Sequence, residues 1–257
     1  MSLFEALKSI LILALFIYAG PFFIQTIKKQ YIPLLEPRTH IGVIPIREDL
    51  HDSLSVTEQL LTLFKDPSIK GIVIKIDCFD TAAGSSQTIF HDIRQLKKEY
   101  PKIIIALIEN RCLAGAYLVA SACDYIIAPD SALIGNIGLS CNEWALQPMS
   151  PEKDNKDTIV ESIETDSYQQ FTKQIALSRK LSLTTIANWA DGKIFTGTQA
   201  LSLGLINEVG SMYTVIKIIK EKALIEGEIE WVEQNNDWSL FQFYFNIFFS
   251  NQDTISQ

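Results

Sequence analysis

Histidine and cysteine are scarce in this chain of 257 residues, and neither is arranged as metal sites require. Structural zinc sites draw their ligands from closely spaced cysteine and histidine pairs, such as CxxC. The three histidines and four cysteines stand singly: His40, His51, His91, Cys78, Cys112, Cys123 and Cys141. The sequence therefore predicts a protein without a bound metal ion or cofactor.

Basic residues are also in deficit. The chain has 22 lysines and arginines against 30 aspartates and glutamates, which gives a formal net charge of -8. An acidic surface disfavours the phosphates of nucleic acids and anionic lipid surfaces as partners. No basic stripe offsets this charge, and we expect no nucleic-acid partner. The 47% hydrophobic content instead predicts a globular protein with a sizeable core.

Charge is absent altogether from residues 9–27, SILILALFIYAGPFFIQTI. A helix of this length reaches about 28 Å, close to the hydrocarbon thickness of a bilayer. The segment is longer than the apolar run of a cleaved signal peptide, and no small-residue cleavage site follows it. It also lacks the polar face expected of a buried core helix. Residues 1–35 are therefore predicted to form a retained, single-pass membrane anchor.

Strands and helices alternate after this anchor. Apolar, β-branched runs predict strands at 40–46, 69–77, 102–108 and 124–128. The spacing of apolar residues predicts helices at 55–67, 84–101 and 113–123. This alternation predicts a mostly parallel sheet with both faces covered. Sites in such sheets lie at the carboxyl ends of strands, so the turns DCFDTAAGSS and ENRCLAGAY are expected to face one cleft.

The main domain is predicted to span 38–225. Its second half begins with a polar stretch. Residues 150–166 are predicted to be a loop or an exposed helix. Periodicity and glycine positions then predict mostly helical structure at 167–182, 183–192 and 195–211, with a short strand near the end.

Residues 226–257 form a tail whose segment 237–250 is rich in aromatic residues. This segment is too short to span a bilayer as a helix. Three placements remain open: the lipid headgroup zone, an oligomer interface, or a core strand.

Several segments of the main domain, taken in order, resemble one protein family. They are DPSIKGIVIKID, AGAYLVASACDYIIAPDSALIGNIGL, QPMSPEKD with SYQQF, and ADGKIFTGTQALSLGLINEVG. They resemble the signal peptide peptidase A (SppA) family over about residues 40–215, and their order and spacing make the match specific. The resemblance implies an α/β fold of the crotonase/Clp-protease spiral type. It also implies membrane-anchored serine peptidases that assemble into rings and cleave leftover signal peptides outside the cytoplasm.

The catalytic positions of that family are altered in this chain. The family has its serine nucleophile in A-S-G-G-Y, where this chain has LAGAY with Ala114. The lysine base of S-K-x-R is replaced by Leu177 in ALSR. Asp80 and Thr81 replace two glycines of N-S-P-G-G, so the resemblance gives Thr81 and Gly115 as the oxyanion-hole positions. A methyl group cannot attack a carbonyl carbon, so no catalytic residue is predicted to be intact.

Other side chains offer little replacement for these groups. Cys112 lies two positions before Ala114, but a buried, packed thiol is the ordinary role of a single cysteine. A Cys78–Cys112 disulfide is an open alternative that depends on the strand-end geometry. Hydroxyl and amine groups elsewhere are predicted to pack, cap helices or face solvent: Ser85, Ser86, Ser121, Lys173 and Lys180. Arg179 is predicted to form a structural ion pair with an acidic residue, for which a neighbouring subunit is one possible source.

The sequence thus predicts a membrane-anchored SppA-family pseudoprotease that binds extended peptides or joins an active paralogue in a homo- or hetero-oligomer. The alternative is an active serine-type endopeptidase that degrades signal peptides. Lys28 and Lys29 weakly favour a cytoplasmic main domain by the positive-inside rule. The resemblance implies the opposite side, outside the cytoplasm, and we follow it.

Overall fold

The structure is a computed structural model that describes residues 18–21, 23, 26, 38–47, 52–79, 81–138 and 153–233. The few described residues of the predicted anchor are helical, and the rest of that segment lies outside the described residues. Within the described part of the chain, no helix is both long and apolar enough to cross a membrane. Asp80 and the aromatic segment 237–250 also lie outside it.

Eight strands of the described chain form one sheet. They are β1 (Thr39–Arg47), β2 (Ile69–Cys78), β3 (Ile103–Leu113), β4 (Tyr125–Ala128), β5 (Leu133–Gly135), β6 (Ile194–Thr196), β7 (Glu208–Val209) and β8 (Ile229–Glu233). The order is β6-β5-β3-β2-β1-β8, with β4 paired to β3 and β7. All pairs are parallel except β5 with β6. The predicted α/β fold with a mostly parallel sheet is confirmed.

Helices cover both faces of this sheet. The α-helices are α1 (Ser53–Lys65), α2 (Ala83–Glu99), α3 (Gly115–Ser121), α4 (Lys153–Arg179), α5 (Ile186–Trp189), α6 (Gly197–Ser202) and α7 (Met212–Lys222). Helices α1 to α4 contribute to a large apolar cluster on one face. Helix α7 packs on the other face through a smaller cluster.

The central strands are buried on both sides. In β2, Ile72, Ile74 and Ile76 belong to the large cluster, whereas Val73 belongs to the small one. Successive side chains of a strand point to opposite faces, so a strand between two helical layers must be apolar at nearly every position. This double burial is the physical reason for the apolar run at 71–74 in the middle of β2.

Strand β3 is longer than its sequence predicts. The polar residues 109–111, predicted to belong to a turn, continue the strand, which ends at Leu113. Arg111 pairs in register with Leu133 of β5, and its side chain reaches Asp77 of β2. The turn predicted for ENRC is therefore wrong, because partners on two neighbouring strands hold a polar segment in the extended conformation.

Two uncertain regions of the sequence adopt regular structure. The polar stretch at 150–166 enters α4, a single helix of 27 residues that begins at Lys153. The start of the predicted tail contributes β8, which pairs in parallel with β1 from Thr39 opposite Ile229. The sheet therefore extends to Glu233, beyond the domain boundary predicted at residue 225.

Strand β3 pairs with two strands in succession along one side. Its residues 105–107 pair with β4, and its residues 111–113 pair with β5, while β2 lies along the other side. We call residues 109–113, 133–135 and 194–196 the upper tier of the sheet. The carboxyl end of β3 lies in this tier, and α3 begins two residues after β3 ends.

Candidate active site

The turn between β3 and α3 is sharp and strained at Ala114. Its φ of 51° and ψ of −125° lie in a region that residues with a Cβ rarely adopt. A strained strand-to-helix turn of this kind is how nucleophile elbows expose a serine hydroxyl. The Ala114 N–H donates to the Gly135 carbonyl at 2.9 Å, and its carbonyl accepts from the Tyr117 N–H at 3.0 Å. The elbow therefore has its backbone fixed, but it presents only a methyl group.

Two hydroxyl groups lie against the first residue of α3. A Cβ placed on Gly115 would lie 1.9 Å from Thr81 Oγ1 and 2.5 Å from Ser86 Oγ. Thr81 and Ser86 are both buried. The structure thus brings the two predicted oxyanion-hole positions, Thr81 and Gly115, into contact. It leaves no room for any side chain at 115.

Ser86 is a neighbour of the elbow that the sequence does not reveal. Its hydroxyl donates to the carbonyls of Ala82 at 3.2 Å and Ala83 at 3.0 Å. The N-cap of α2 is Ala82, which makes no side-chain capping bond. The capping role predicted for Ser86 is therefore wrong, because its hydroxyl bonds carbonyls rather than the N–H groups that a cap satisfies.

Around the elbow the described residues place a methyl group, two hydroxyl groups and backbone N–H groups close together. In the first turn of α3, the Tyr117 and Leu118 N–H groups donate to the Ala114 carbonyl, and the amino end of a helix favours a partial negative charge such as a peptide carbonyl carries. The Ala114 N–H is already used by Gly135. The Thr81 hydroxyl lies beside Gly115. The family has glycine, with no side chain, at the position of Thr81.

Leu177, the family base position, lies on α4 with 67% of its surface exposed. Two residues later, Arg179 donates to the Gly204 carbonyl at 3.1 and 3.3 Å and to Asn207 Oδ1 at 2.8 Å. Arg179 therefore bonds groups of its own chain, where the sequence left a neighbouring subunit open as partner. It fixes the end of α4 against the loop 204–207.

Tyr117 ties the elbow helix to the same loop. Its hydroxyl donates to the Leu205 carbonyl at 2.7 Å, and burial raises the pKa of this phenol above its ordinary value. Asn207 Oδ1 also accepts from the buried Ile126 N–H at 2.9 Å. These contacts join α3, α4 and β4, and sequence spacing gives no signal for them because the partners lie 81 to 88 positions apart.

The three cysteines that the structure describes, Cys78, Cys112 and Cys123, are all buried. Cys78 and Cys112 are opposite each other on β2 and β3, and both are thiols rather than a disulfide. Burial, followed by the nearby Cys78 and Cys123, raises the pKa of the Cys112 thiol well above its ordinary value. Burial also raises the pKa of Cys123 to about 12. The thiolate is the reactive form, so burial favours the less reactive protonated form of these thiols.

The remaining candidates have structural or solvent-facing positions. The Ser121 hydroxyl is buried and donates to the Leu118 carbonyl at 2.7 Å, as expected of a packing residue. Lys173 and Lys180 are exposed, as predicted. Within the described residues, no group of histidine, cysteine, aspartate or glutamate side chains could hold a metal ion.

A polar rim borders the carboxyl end of the central strands. Lys75 Nζ lies 2.8 Å from Glu109 Oε1, and Arg111 Nε lies 3.1 Å from Asp77 Oδ1. The Asn110 amide donates to Asp77 Oδ2 at 2.8 Å. Burial raises the pKa of the Asp77 carboxyl, but the hydrogen bonds from Asn110 and Arg111 outweigh it and hold the pKa below its ordinary value.

Comparisons with known proteins find similarity to a peptidase family and to several proteases. The family model of peptidase family S49 matches residues 145–226. A candidate protease of Methanocaldococcus jannaschii is 26% identical over 209 residues, 72% of this chain and 66% of the relative. The chloroplastic serine protease SPPA of Arabidopsis thaliana is 26% identical over 65% of this chain and 28% of its own length. Protease 4 of Haemophilus influenzae is 22% identical over 66% of this chain and 32% of its own.

The chain thus spans less than two thirds of the length of these relatives. The family match covers the second half of the main domain, and the relatives extend the similarity over about two thirds of the chain. The resemblance seen in the sequence is confirmed. Residues 145–226 of this chain match peptidase family S49, and the similarity to relatives named SPPA and Protease 4 supports the signal peptide peptidase A (SppA) family.

Proposed function

We propose that this chain is a non-catalytic, membrane-anchored SppA-family protein that binds extended peptides or assembles with an active paralogue. In this proposal the domain adopts the crotonase/Clp spiral, follows one N-terminal transmembrane helix and lies outside the cytoplasm. It works as a homo- or hetero-oligomer. Membrane lipid and an extended peptide, such as a signal-peptide remnant, are its partners.

The methyl group of Ala114 carries this proposal. An acyl-transfer peptidase needs an oxygen or sulfur atom at the elbow, and Ala114 supplies neither. Loss of a nucleophile or base costs about a millionfold in turnover number, because the catalytic groups act as a unit. Leu177 cannot accept a proton, so the base is missing along with the nucleophile.

The sheet still offers a place for a peptide. Strand β6 is the last strand of the sheet order, with β5 on one side and no described strand on the other. An extended peptide can add to such an edge through main-chain hydrogen bonds. Exposed apolar side chains, Ile194 on β6 and Leu133 on β5, are available for its side chains. Binding without cleavage is the activity that these features support.

The test combines a cleavage assay and a binding assay on the full chain in an uncharged detergent. A fluorogenic peptide with the apolar character of a signal peptide should remain intact, and the same peptide with a fluorophore should show increased anisotropy on binding. The variant Ala114→Ser with Leu177→Lys is the matched comparison for cleavage. Cleavage by the parent chain at a rate above background, lost in a Cys112→Ala control, would refute the proposal in favour of a thiol mechanism.

An active serine-type endopeptidase is the second candidate. The strained backbone of Ala114 favours it, because the geometry that exposes a nucleophile is retained. Parental cleavage that survives Cys112→Ala and is blocked by a serine-directed phosphonate would support this alternative. Absence of both cleavage and peptide binding would leave assembly with a paralogue, which co-purification with an active family member tests.

A further inference from the structure

A groove of about 610 Å³ opens at the amino end of the sheet, far from the elbow. It lies between the last turn of α2, the amino ends of β3 and β4, and the last turn of α7. Strand β3 alone separates the groove from the elbow by about 33 Å, since a strand rises roughly 3.3 Å per residue. The polar and charged residues of its lining are Lys97, Lys102, Asp124, Tyr125, Asn207 and Lys222.

The lining has a surplus of hydrogen-bond donors. Both oxygens of Asp124 are used, Oδ1 by Lys97 at 2.6 Å and Oδ2 by the Ile104 N–H at 2.9 Å. Asn207 Oδ1 accepts from a backbone N–H and from Arg179, which leaves the amide NH2 as its group for a ligand. Three ammonium groups and an amide therefore face the groove, and its one carboxylate is already occupied.

The ammonium groups are held in place before any ligand arrives. Lys102 Nζ donates to the Leu63 carbonyl at 2.9 Å and to the Asp66 carbonyl. Lys97 Nζ donates to a backbone carbonyl at 3.2 Å besides its carboxylate partner. Lys222 is held by a neighbouring carboxylate and a tyrosine hydroxyl. Each lysine keeps one of three N–H donors for a ligand, and the partly buried Lys97 and Lys102 have little side-chain entropy left to lose.

We propose that this groove binds a phosphate group, and that the phosphate is that of an anionic phospholipid headgroup. Phosphate offers several acceptor oxygens and a negative charge, which is the complement of preordered ammonium and amide donors. Carboxylates repel such a ligand, but Asp124 of the lining is paired with Lys97, and Glu221, which pairs with Lys222, lies outside the lining. The chain as a whole has a net charge of -8, but this groove is lined by three lysines and one aspartate.

The position of the groove favours a lipid as the source of the phosphate. Strands β1, β2 and β3 are parallel, so the start of β1 at Thr39 lies at the same end of the sheet as the groove. Only ten residues, 28–37, separate this end from the apolar segment 9–27, and they span at most about 35 Å. The lipid assignment rests on the proposed membrane attachment, whereas the phosphate assignment does not.

Calorimetric titration of the full chain in an uncharged detergent tests both parts. The probes are dihexanoylphosphatidylglycerol, dihexanoylphosphatidylcholine and inorganic phosphate. We expect the anionic lipid to bind most tightly and inorganic phosphate to compete with it. Lys97→Gln and Lys222→Gln should each weaken binding about tenfold, the value of a hydrogen bond to a charged group. Lys98→Gln and Lys220→Gln, on the same helical turns but outside the lining, should leave the affinity within about twofold.

Each outcome decides one part of the proposal. No binding of either anionic probe, or equal loss in the lining and control variants, overturns the site. Inorganic phosphate binding as tightly as the anionic lipid keeps the phosphate site and overturns the lipid assignment. Equal binding of phosphatidylglycerol and phosphatidylcholine also keeps the phosphate site, but it overturns the preference for an anionic headgroup. These titrations contain no peptide, so their failure is separate from any failure of peptide binding at the edge of β6.

Discussion

Replacing Ala114 with glycine should stabilise the protein, although the position lies in the family's catalytic motif. The observed φ of 51° and ψ of −125° cost a residue with a Cβ about 1–3 kcal/mol. Glycine removes that strain, but it adds entropy to the unfolded chain worth about 0.4–1 kcal/mol. The difference predicts that Ala114→Gly raises the free energy of unfolding by about 1 kcal/mol.

Ala116 is the matched control, because it is two residues away and carries the same side chain. It lies within α3 and is fully buried. Ala116→Gly loses helix propensity worth about 1 kcal/mol and one buried methyl worth about 0.8 kcal/mol. The same substitution should therefore act in opposite directions at 114 and 116.

Thermal unfolding of the full chain in detergent measures both variants. A change of about 1 kcal/mol shifts the melting temperature by about 2–4 °C in proteins of this size. Ala114→Gly should raise the midpoint by about 3 °C, and Ala116→Gly should lower it by about 6 °C. Equal decreases in the two variants would show that the elbow backbone is not strained, and the interpretation of Ala114 as a retained nucleophile position would lose its structural basis.

Three further predictions concern Gly115 of the elbow helix, Asn207 of the loop 204–207 and Asp77 of the polar rim. Gly115→Ala should destabilise the fold by about 1–3 kcal/mol through overpacking, and Thr81→Ala in the same chain should reduce this loss, as chemical denaturation can measure. Asn207→Ala should cost about 1–3 kcal/mol because the buried N–H of Ile126 loses its acceptor; Asn207→Asp, which keeps the acceptor, should cost less in the same assay. The pKa of Asp77 is depressed below its ordinary 3.8 in the folded state, so its stabilising effect is present above about pH 4 and is lost as the pH falls below that value. The stability difference between the parent and Asp77→Asn should therefore shrink from about pH 6 to about pH 3, and a constant difference would contradict this.

The central sheet could be predicted because each strand carries its own signal. The centres of these strands, 71–74 and 103–108, are apolar at every position, as strands covered on both faces require. The extension of β3 through Arg111 carries no such signal. It depends on Asp77 and Leu133, which lie 34 and 22 positions away in the sequence, and periodicity does not report contacts of that range.

The position of the elbow follows from a resemblance rather than from pattern or propensity. LAGAY has the local character of the start of a small-residue helix, and nothing in it indicates a positive φ at Ala114. The contact of Thr81 and Ser86 with Gly115 arises because α2 and α3 pack together, which no single segment specifies. Site residues gathered from separate elements become visible only when the fold assembles them.

Net charge gives no indication of the lysines at the amino end of the sheet. A chain of net charge -8 is not expected to attract phosphate, and Lys97, Lys102 and Lys222 are far apart in the sequence. Parallel strands return to the same end after each helix, so the ends of α2 and α7 meet there. The topology therefore places three lysines in one groove, although the net charge of the whole chain is negative.

Because β3 pairs first with β4 and then with β5, the upper tier of the sheet can open separately from the central strands. The upper tier contains strands β5 and β6 of three residues each, whereas β1 and β2 are paired over eight residues. Segments with few ladder hydrogen bonds open at lower free energy than the core, as separate cooperative units. The Ala114 N–H bonds Gly135 of this tier, so opening of the tier releases the backbone of the elbow. Amide hydrogens at 133–135 and 194–196 should then exchange before those of the central strands, and the strain at Ala114 would be relieved in this local transition rather than on global unfolding.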